Sequence, residues 1–203
     1  MSPTAHVVYG GAAAAVIYPA AGVYSLVFWA ASFLIDLDHY IDYVYHNGFT
    51  DLSFRKMFDY HNALDAFWFN PAFLNIEMFH TVEVMLPLYM LTAWTGSTLL
   101  LAVFFGFVFH IALDMVYLHG NGIFFMRAYS IAEYFMRMRA IKEKGYLPEE
   151  IFDAVFSRLL KNPHARSGCS KSSRPMLLAW VPRCVEERGM RRILSIRRSD
   201  ERR

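Results

Sequence analysis

Residues 7–35 read VVYGGAAAAVIYPAAGVYSLVFWAASFLI, 29 positions without Asp, Glu, Lys, Arg or His. His6 bounds the run on one side and Asp36-Leu37-Asp38-His39 on the other. A second run of the same kind, residues 84–109, has 26 positions; His80 and Glu83 precede it, and His110 and Asp114 follow it. Either run is long enough to cross a bilayer, which takes about 20 apolar residues. Each also has a break near its middle, Pro19-Ala20-Ala21-Gly22 in the first and Trp94-Thr95-Gly96-Ser97 in the second. Pro and Gly punctuate apolar helical patterns, so each run reads as two shorter helices. Pieces of about 10–14 residues are more often core helices or re-entrant segments than full spans.

Spacing gives the breaks a purpose. His6 and Asp36 are 30 residues apart, and so are His80 and His110. An unbroken helix would hold the members of each pair about 45 Å apart. Two helical hairpins, folded back at the breaks, would bring His6, the Asp36–His39 cluster, His80 and the His110/Asp114 pair into one layer. Locally, His110 and Asp114 stand at i,i+4, and Asp36/His39, His39/Asp42 and His80/Glu83 at i,i+3, so each pair shares a helix face. Ionisable groups at the edges of apolar helices are costly and are functional suspects by default. Mixed His and carboxylate donors suit zinc, manganese or iron, and a divalent cation would relieve the repulsion among clustered carboxylates. Each group also has an ordinary reading, as a helix end meeting water or a self-satisfied His–Asp hydrogen bond. His61-x-x-x-Asp65 repeats the spacing in a more polar segment, as an exposed pair or as a further partner of the cluster. His46, His119 and His164 read as surface histidines.

The whole chain has 203 residues, 56% hydrophobic and 19% charged, against about 45–50% and about 25% for an average soluble domain. That excludes intrinsic disorder, which requires low hydrophobicity and high net charge. Two cysteines, Cys169 and Cys184, do not make a disulfide scaffold. The net charge of +2 conceals a split: residues 1–160 carry a net −6 and residues 161–203 a net +8. The expected organisation is a hydrophobic helical domain over 1–118, amphipathic helices over 119–160 packed on it or on a membrane surface, and a weakly ordered basic tail over 161–203. A helix over 124–145 would show Arg127, Arg137, Arg139, Lys142 and Lys144 among bulky apolar residues, as a membrane-surface helix does or as a solvated helix on the protein's own core does. Pro148-Glu149-Glu150 opens another helix, on which Ile151, Phe152, Val155, Phe156, Leu159 and Leu160 recur at helical spacing as core packing. The tail suits an anionic lipid surface or is a solvated extension; specific nucleic-acid binding is not expected. The fold class is all-α: a helical-hairpin bundle, membrane-embedded or membrane-associated. No basic segment precedes the first run, so a cleaved signal peptide is not expected.

His6, Phe33-Leu34-Ile35-Asp36-Leu37-Asp38-His39, Phe79-His80-Thr81 and His110-x-x-x-Asp114 together resemble the YdjM-like family of membrane-bound metal-dependent hydrolases. There an N-terminal His precedes an apolar hairpin ending in Asp-x-Asp-His, followed by a His-Ser or His-Thr pair and a late His-x-x-x-Asp. The resemblance covers about residues 1–118, and the order and spacing of the motifs are its specific part. The family is thought to be related to zinc-dependent phospholipase C and its nuclease relatives. The resemblance implies an all-α protein of the cell membrane; the broken apolar runs make it multi-pass or re-entrant, and the positive-inside rule puts the basic tail on the cytoplasmic side. It implies His6, Asp36, Asp38, His39, His80, His110 and Asp114 as metal ligands or close neighbours, with zinc the first expectation and manganese or iron possible in its place. Metal-assisted hydrolysis of a small-molecule, lipid or lipid-linked phosphoester would follow, with Asp38 or Glu83 as general base. The competing reading is a non-catalytic integral membrane protein with a structural or vestigial metal site.

Overall fold

The computed structural model describes residues 1–161. Beyond Lys161, the expectations for the basic tail lie outside the described residues.

Both breaks are turns. Helix α1 (Pro3–Ala21) begins at Ser2, whose side chain accepts from the Ala5 N–H, and has Pro in its first turn, where the missing N–H costs nothing. It stops at Gly22, whose φ of 55° and ψ of −135° suit only a residue without a Cβ. Helix α2 (Tyr24–Leu34) then returns along α1. The second hairpin repeats the scheme. Helix α5 (Val82–Thr95) closes on Gly96 in the left-handed region, and the Ser97 side chain caps α6 (Thr98–Gly120). Pro19 stays inside α1, so the chain reverses at Gly22 and not at the proline.

Between the hairpins the chain forms α3 (Leu37–His46) and α4 (Phe54–Leu64). Helix α8 (Pro148–Lys161) packs on α4. Together they enclose a core of Tyr43, Val44, Met57, Tyr60, Leu64, Phe73, Ile151 and Val155. The helix expected over 124–145 is shorter than its pattern suggested. Residues 124–126 form a 3-10 turn, 127–128 a strand, and α7 (Ile131–Glu143) starts only after Ser130 caps it. The strand, β2 (Arg127–Ala128), pairs in parallel with β1 (Asn75–Ile76), Asn75 opposite Arg127. This pairing withdraws Arg127 from the surface into the interior, where it is 8% exposed.

The hairpins meet through α2, which packs against both α1 and α6. At the α2–α6 crossing a Cβ on Gly106 would lie 2.6 Å from the Phe28 carbonyl oxygen and 2.7 Å from the Ala31 Cβ. Only glycine allows that approach. The buried residues of α6 are Gly106, His110, Asp114 and Leu118, and those of α1 are His6, Gly10 and Ala14. A spacing of four keeps each set on one helix face, so the face that permits close packing also delivers the ionisable groups. Among the described residues, α6 is long and apolar enough to cross a membrane. The first run, divided into helices of 19 and 11 residues, provides no such span.

Candidate metal centre

All seven residues expected as ligands meet at the base of the two hairpins. His6 comes from the first turn of α1. Asp36 occupies the position before α3 and makes no capping bond with its side chain, which leaves the carboxylate for the cluster; Asp38 and His39 follow in the first turn. His80 ends a 3-10 turn over residues 78–80, and α6 supplies His110 and Asp114. One potential donor atom from each of His6, Asp36 and His110 lies within 4.8 Å of the other two, and the same holds for His80/His110/Asp114, Asp36/Asp38/His39 and Asp38/Glu77/His80. The two pairs 30 residues apart in sequence are therefore neighbours in space.

Hydrogen bonds fix which imidazole nitrogen faces the cluster. His110 Nδ1 donates to the Ser32 carbonyl at 2.7 Å. Its Nε2 lies 3.1 Å from Asp36 Oδ1 and 3.6 Å from Asp114 Oδ2. His80 Nδ1 donates to Asp38 Oδ2 at 2.9 Å, and the Phe79 N–H donates to the same oxygen at 3.1 Å. His80 Nε2 is buried without a hydrogen-bond partner. A histidine with one nitrogen committed as a donor presents the other as a lone pair, the arrangement found around metal-bound histidines. The His6 ring stacks on His110 with centroids 3.7 Å apart, and its Nε2 lies 3.1 Å from Asp114 Oδ1. The Met1 amino group reaches that same oxygen at 3.1 Å. His39 forms the more open edge. Its Nε2 is 3.5 Å from Asp36 Oδ1, with the two side chains 26% and 16% exposed.

Electrostatics favour a cation here. Four carboxylates, from Asp36, Asp38, Glu77 and Asp114, converge on the cluster. Burial pushes the Asp38 carboxyl up to about 6 and raises that of Glu77, though the Arg127 charge pulls Glu77 back. Burial also drives the His80 imidazole down to about 4 and lowers His39. Both shifts favour the neutral imidazole, the form in which histidine binds metal. Asp38 Oδ1, Glu77 Oε2, His39 Nδ1, His80 Nε2 and His110 Nε2 are buried without hydrogen-bond partners. Such atoms are uncommon in folded proteins, and a divalent ion among them would satisfy several at once. The donor set, imidazole plus carboxylate, fits zinc, manganese or iron.

Glu83 belongs elsewhere. Its carboxylate accepts from the Ser130 hydroxyl at 2.6 Å and the Ile131 N–H at 3.0 Å, so it holds the start of α7 and is not brought to the cluster. Asp42 faces away too, with Oδ1 3.0 Å from His46 Nδ1. His61 sits behind the site: its Nε2 donates to the His39 carbonyl at 2.9 Å and its ring lies against His39. Two residues were not expected, Glu77 and Arg127. Arg127 donates to Glu77 Oε1 at 2.6 Å and to Asp114 Oδ2 at 3.0 Å. Glu77 had a faint sequence signal, because it precedes His80 by the same three residues by which Glu83 follows it.

No protein-family model, curated protein or solved structure matches the chain.

Proposed function

We propose that this chain is a membrane-held, metal-dependent hydrolase of phosphoesters, with a lipid or lipid-linked phosphoester as substrate. The observation that carries the proposal is the buried cluster in which His80 and His110 are each tied at Nδ1 and aim a free Nε2 at convergent carboxylates. The order of motifs that resembles the YdjM-like hydrolases supports the same reading. The partly exposed Asp36–His39 edge supports catalysis over a structural role, since structural metal sites are closed and catalytic ones keep an open position.

His6, Asp36, His80, His110 and Asp114 would hold the metal, with His39 at the edge where substrate enters. A bound divalent ion supplies Lewis acidity and a water that ionises near neutral pH. Asp38 orients His80 through Oδ2, and its unpartnered Oδ1 is the atom available to hold the attacking water and take its proton. The membrane part of the proposal rests on the hairpins. From Gly22 to Asp36, and from Gly96 to His110, is 14 residues, or about 21 Å of helix. Val16, Trp94 and Leu99 on these helices are 79%, 86% and 51% exposed. Immersed turn-first, the hairpins would cover such side chains with lipid and leave the site near the headgroups.

Elemental analysis of the full chain, purified without chelator, tests the proposal against the His110→Ala/Asp114→Ala variant. The expected result is bound metal in the wild type, its loss in the variant, and hydrolysis of bis(p-nitrophenyl) phosphate by the wild type alone. A metal-free wild type defeats the proposal. Bound metal without turnover on any phosphoester leaves the structural-site alternative.

A further inference from the structure

Among the described residues Arg127 is the one buried Lys or Arg, and its placement follows from the β1–β2 pair. With Asn75 opposite Arg127, the strand register sets the arginine beside Glu77, two residues further along β1's chain. The Asn75 side-chain amide donates to the same Glu77 Oε1, at 3.3 Å, that receives Arg127. The guanidinium spans two carboxylates from distant parts of the chain and engages one oxygen of each, Glu77 Oε1 and Asp114 Oδ2. The remaining oxygens turn to the histidines: Asp114 Oδ1 is 3.1 Å from His6 Nε2, and Glu77 Oε2 is 3.4 Å from His80 Nδ1. With its side chain 9% exposed, Arg127 is not placed to meet a substrate. A guanidinium keeps its charge in any protein environment, and its planar fork suits two simultaneous carboxylate bonds.

We infer that Arg127 is a positioning residue, a fixed counter-ion that holds Glu77 and Asp114 each by one oxygen and so keeps the cluster assembled before metal arrives. The inference rests on the metal-site reading above for its purpose, but its structural core does not. Without Arg127 the buried carboxylates would repel each other, and metal would have to supply the charge that the arginine provides.

Thermal unfolding of the full chain, with zinc and with a chelator, tests this in Arg127→Met, Arg127→Lys, Glu77→Gln and the Glu77→Gln/Arg127→Met pair. Breaking a buried ion pair by removing one partner in a chain of this size should lower the metal-free Tm of Arg127→Met by about 10 °C. Zinc should raise that variant's Tm by more than it raises the wild type's. Adding Glu77→Gln should recover at least half of the loss, because it removes one of the orphaned charges, whereas Arg127→Lys, a point charge that cannot bridge both carboxylates, should recover less. An equal loss with and without zinc, not relieved by Glu77→Gln, would reduce Arg127 to a packing element and overturn the inference. Should Arg127→Met fail to fold, a double variant that folds supports the counter-ion role and one that does not fold refutes it. A wild type that binds no zinc defeats the hydrolase reading alone, since rescue by Glu77→Gln is read in metal-free protein.

Discussion

The two halves of this molecule are built on opposite plans. Around α3, α4 and α8 the interior is Tyr43, Met57, Tyr60, Leu64, Ile151 and Val155, the apolar core of an ordinary helical protein. In the two hairpins small and polar residues share the interior with a few apolar ones, Ala14, Phe28 and Ala31 among them. Ser25, Ser32, His6, His110 and Asp114 are buried, while Val16, Trp94, Phe105 and Val116 face outward. An apolar core is held together by the removal of hydrocarbon from water. The hairpins expose much of their hydrocarbon, and they meet by close backbone approach at Gly106 and by the His110–Ser32 hydrogen bond between helices, contacts of the kind that also serve helices in lipid. The comparison teaches that one chain has divided its work: the first plan supplies stability, and the second holds an array of ionisable groups where no apolar core would admit them.

The sharpest way to break the contrast is Gly106→Leu. The new side chain would meet the Phe28 carbonyl and Ala31 at the α2–α6 crossing, where backbone cannot yield. Overpacking typically costs about 1–3 kcal/mol and more against a rigid neighbour. Since His110, one turn further on, bonds to the Ser32 carbonyl across the same crossing, loss of bound metal should accompany loss of stability. In the other half, Leu64→Ala should cost about 2–5 kcal/mol yet leave the metal content of the folded fraction unchanged. Chemical unfolding and elemental analysis of the same samples separate the two outcomes. A Leu64→Ala protein that folds but cannot retain metal would show that the halves are not independent in this sense.

The hairpin plan was legible in the sequence because it is written in absences. Two uncharged runs, each with a glycine near its middle and ionisable residues at both ends, leave few ways of satisfying those ends other than folding back. The α8 stripe was legible from helical periodicity for the same kind of reason. Arg127 was not. It lies among Arg137, Arg139, Lys142 and Lys144 with nothing in its spacing to mark it, and it is buried only because a two-residue strand pairs with another about fifty positions earlier. Glu77 and Glu83 pose a subtler case. Both stand three residues from His80, and the spacing is equal. The choice is made by local conformation: residues 78–80 turn as a 3-10 helix that keeps Glu77 beside His80, while α5 starts at Val82 and carries Glu83 away to Ser130.

The outward faces give the next test in order of size. Phe105 lies near the middle of α6 and is 52% exposed. Phe105→Arg should cost about 2.5–3.5 kcal/mol if that face lies in hydrocarbon, and it should increase the fraction released from membranes by an alkaline wash. Tyr45→Lys, on the 69%-exposed Tyr45 of α3, should change stability by no more than about 0.5 kcal/mol and leave the membrane fraction as it was. Equal release of both variants would remove the membrane from the distinction between the halves.

The smallest effect is expected at Glu83. Its carboxylate is exposed and serves the first turn of α7, accepting from the Ser130 hydroxyl and the Ile131 N–H. A carboxylate at a helix N-terminus satisfies amides that have no partner within the helix. Glu83→Gln retains one acceptor oxygen and should be close to silent. Glu83→Ala retains none, and amide exchange at Ile131 and Ala132 should quicken with metal content unchanged. Asp38→Asn is the partner measurement, because the amide can still accept from His80 Nδ1 through its oxygen but has no carboxylate to take a proton at the other atom. The two carboxylates expected as general bases should therefore separate: hydrolysis falls by about 100-fold or more for Asp38→Asn, in line with the usual contribution of a general base, and persists in Glu83→Gln. The reverse order, with metal content equal in both, would place the proton-accepting group at the α5–α7 junction and not at the hairpin base.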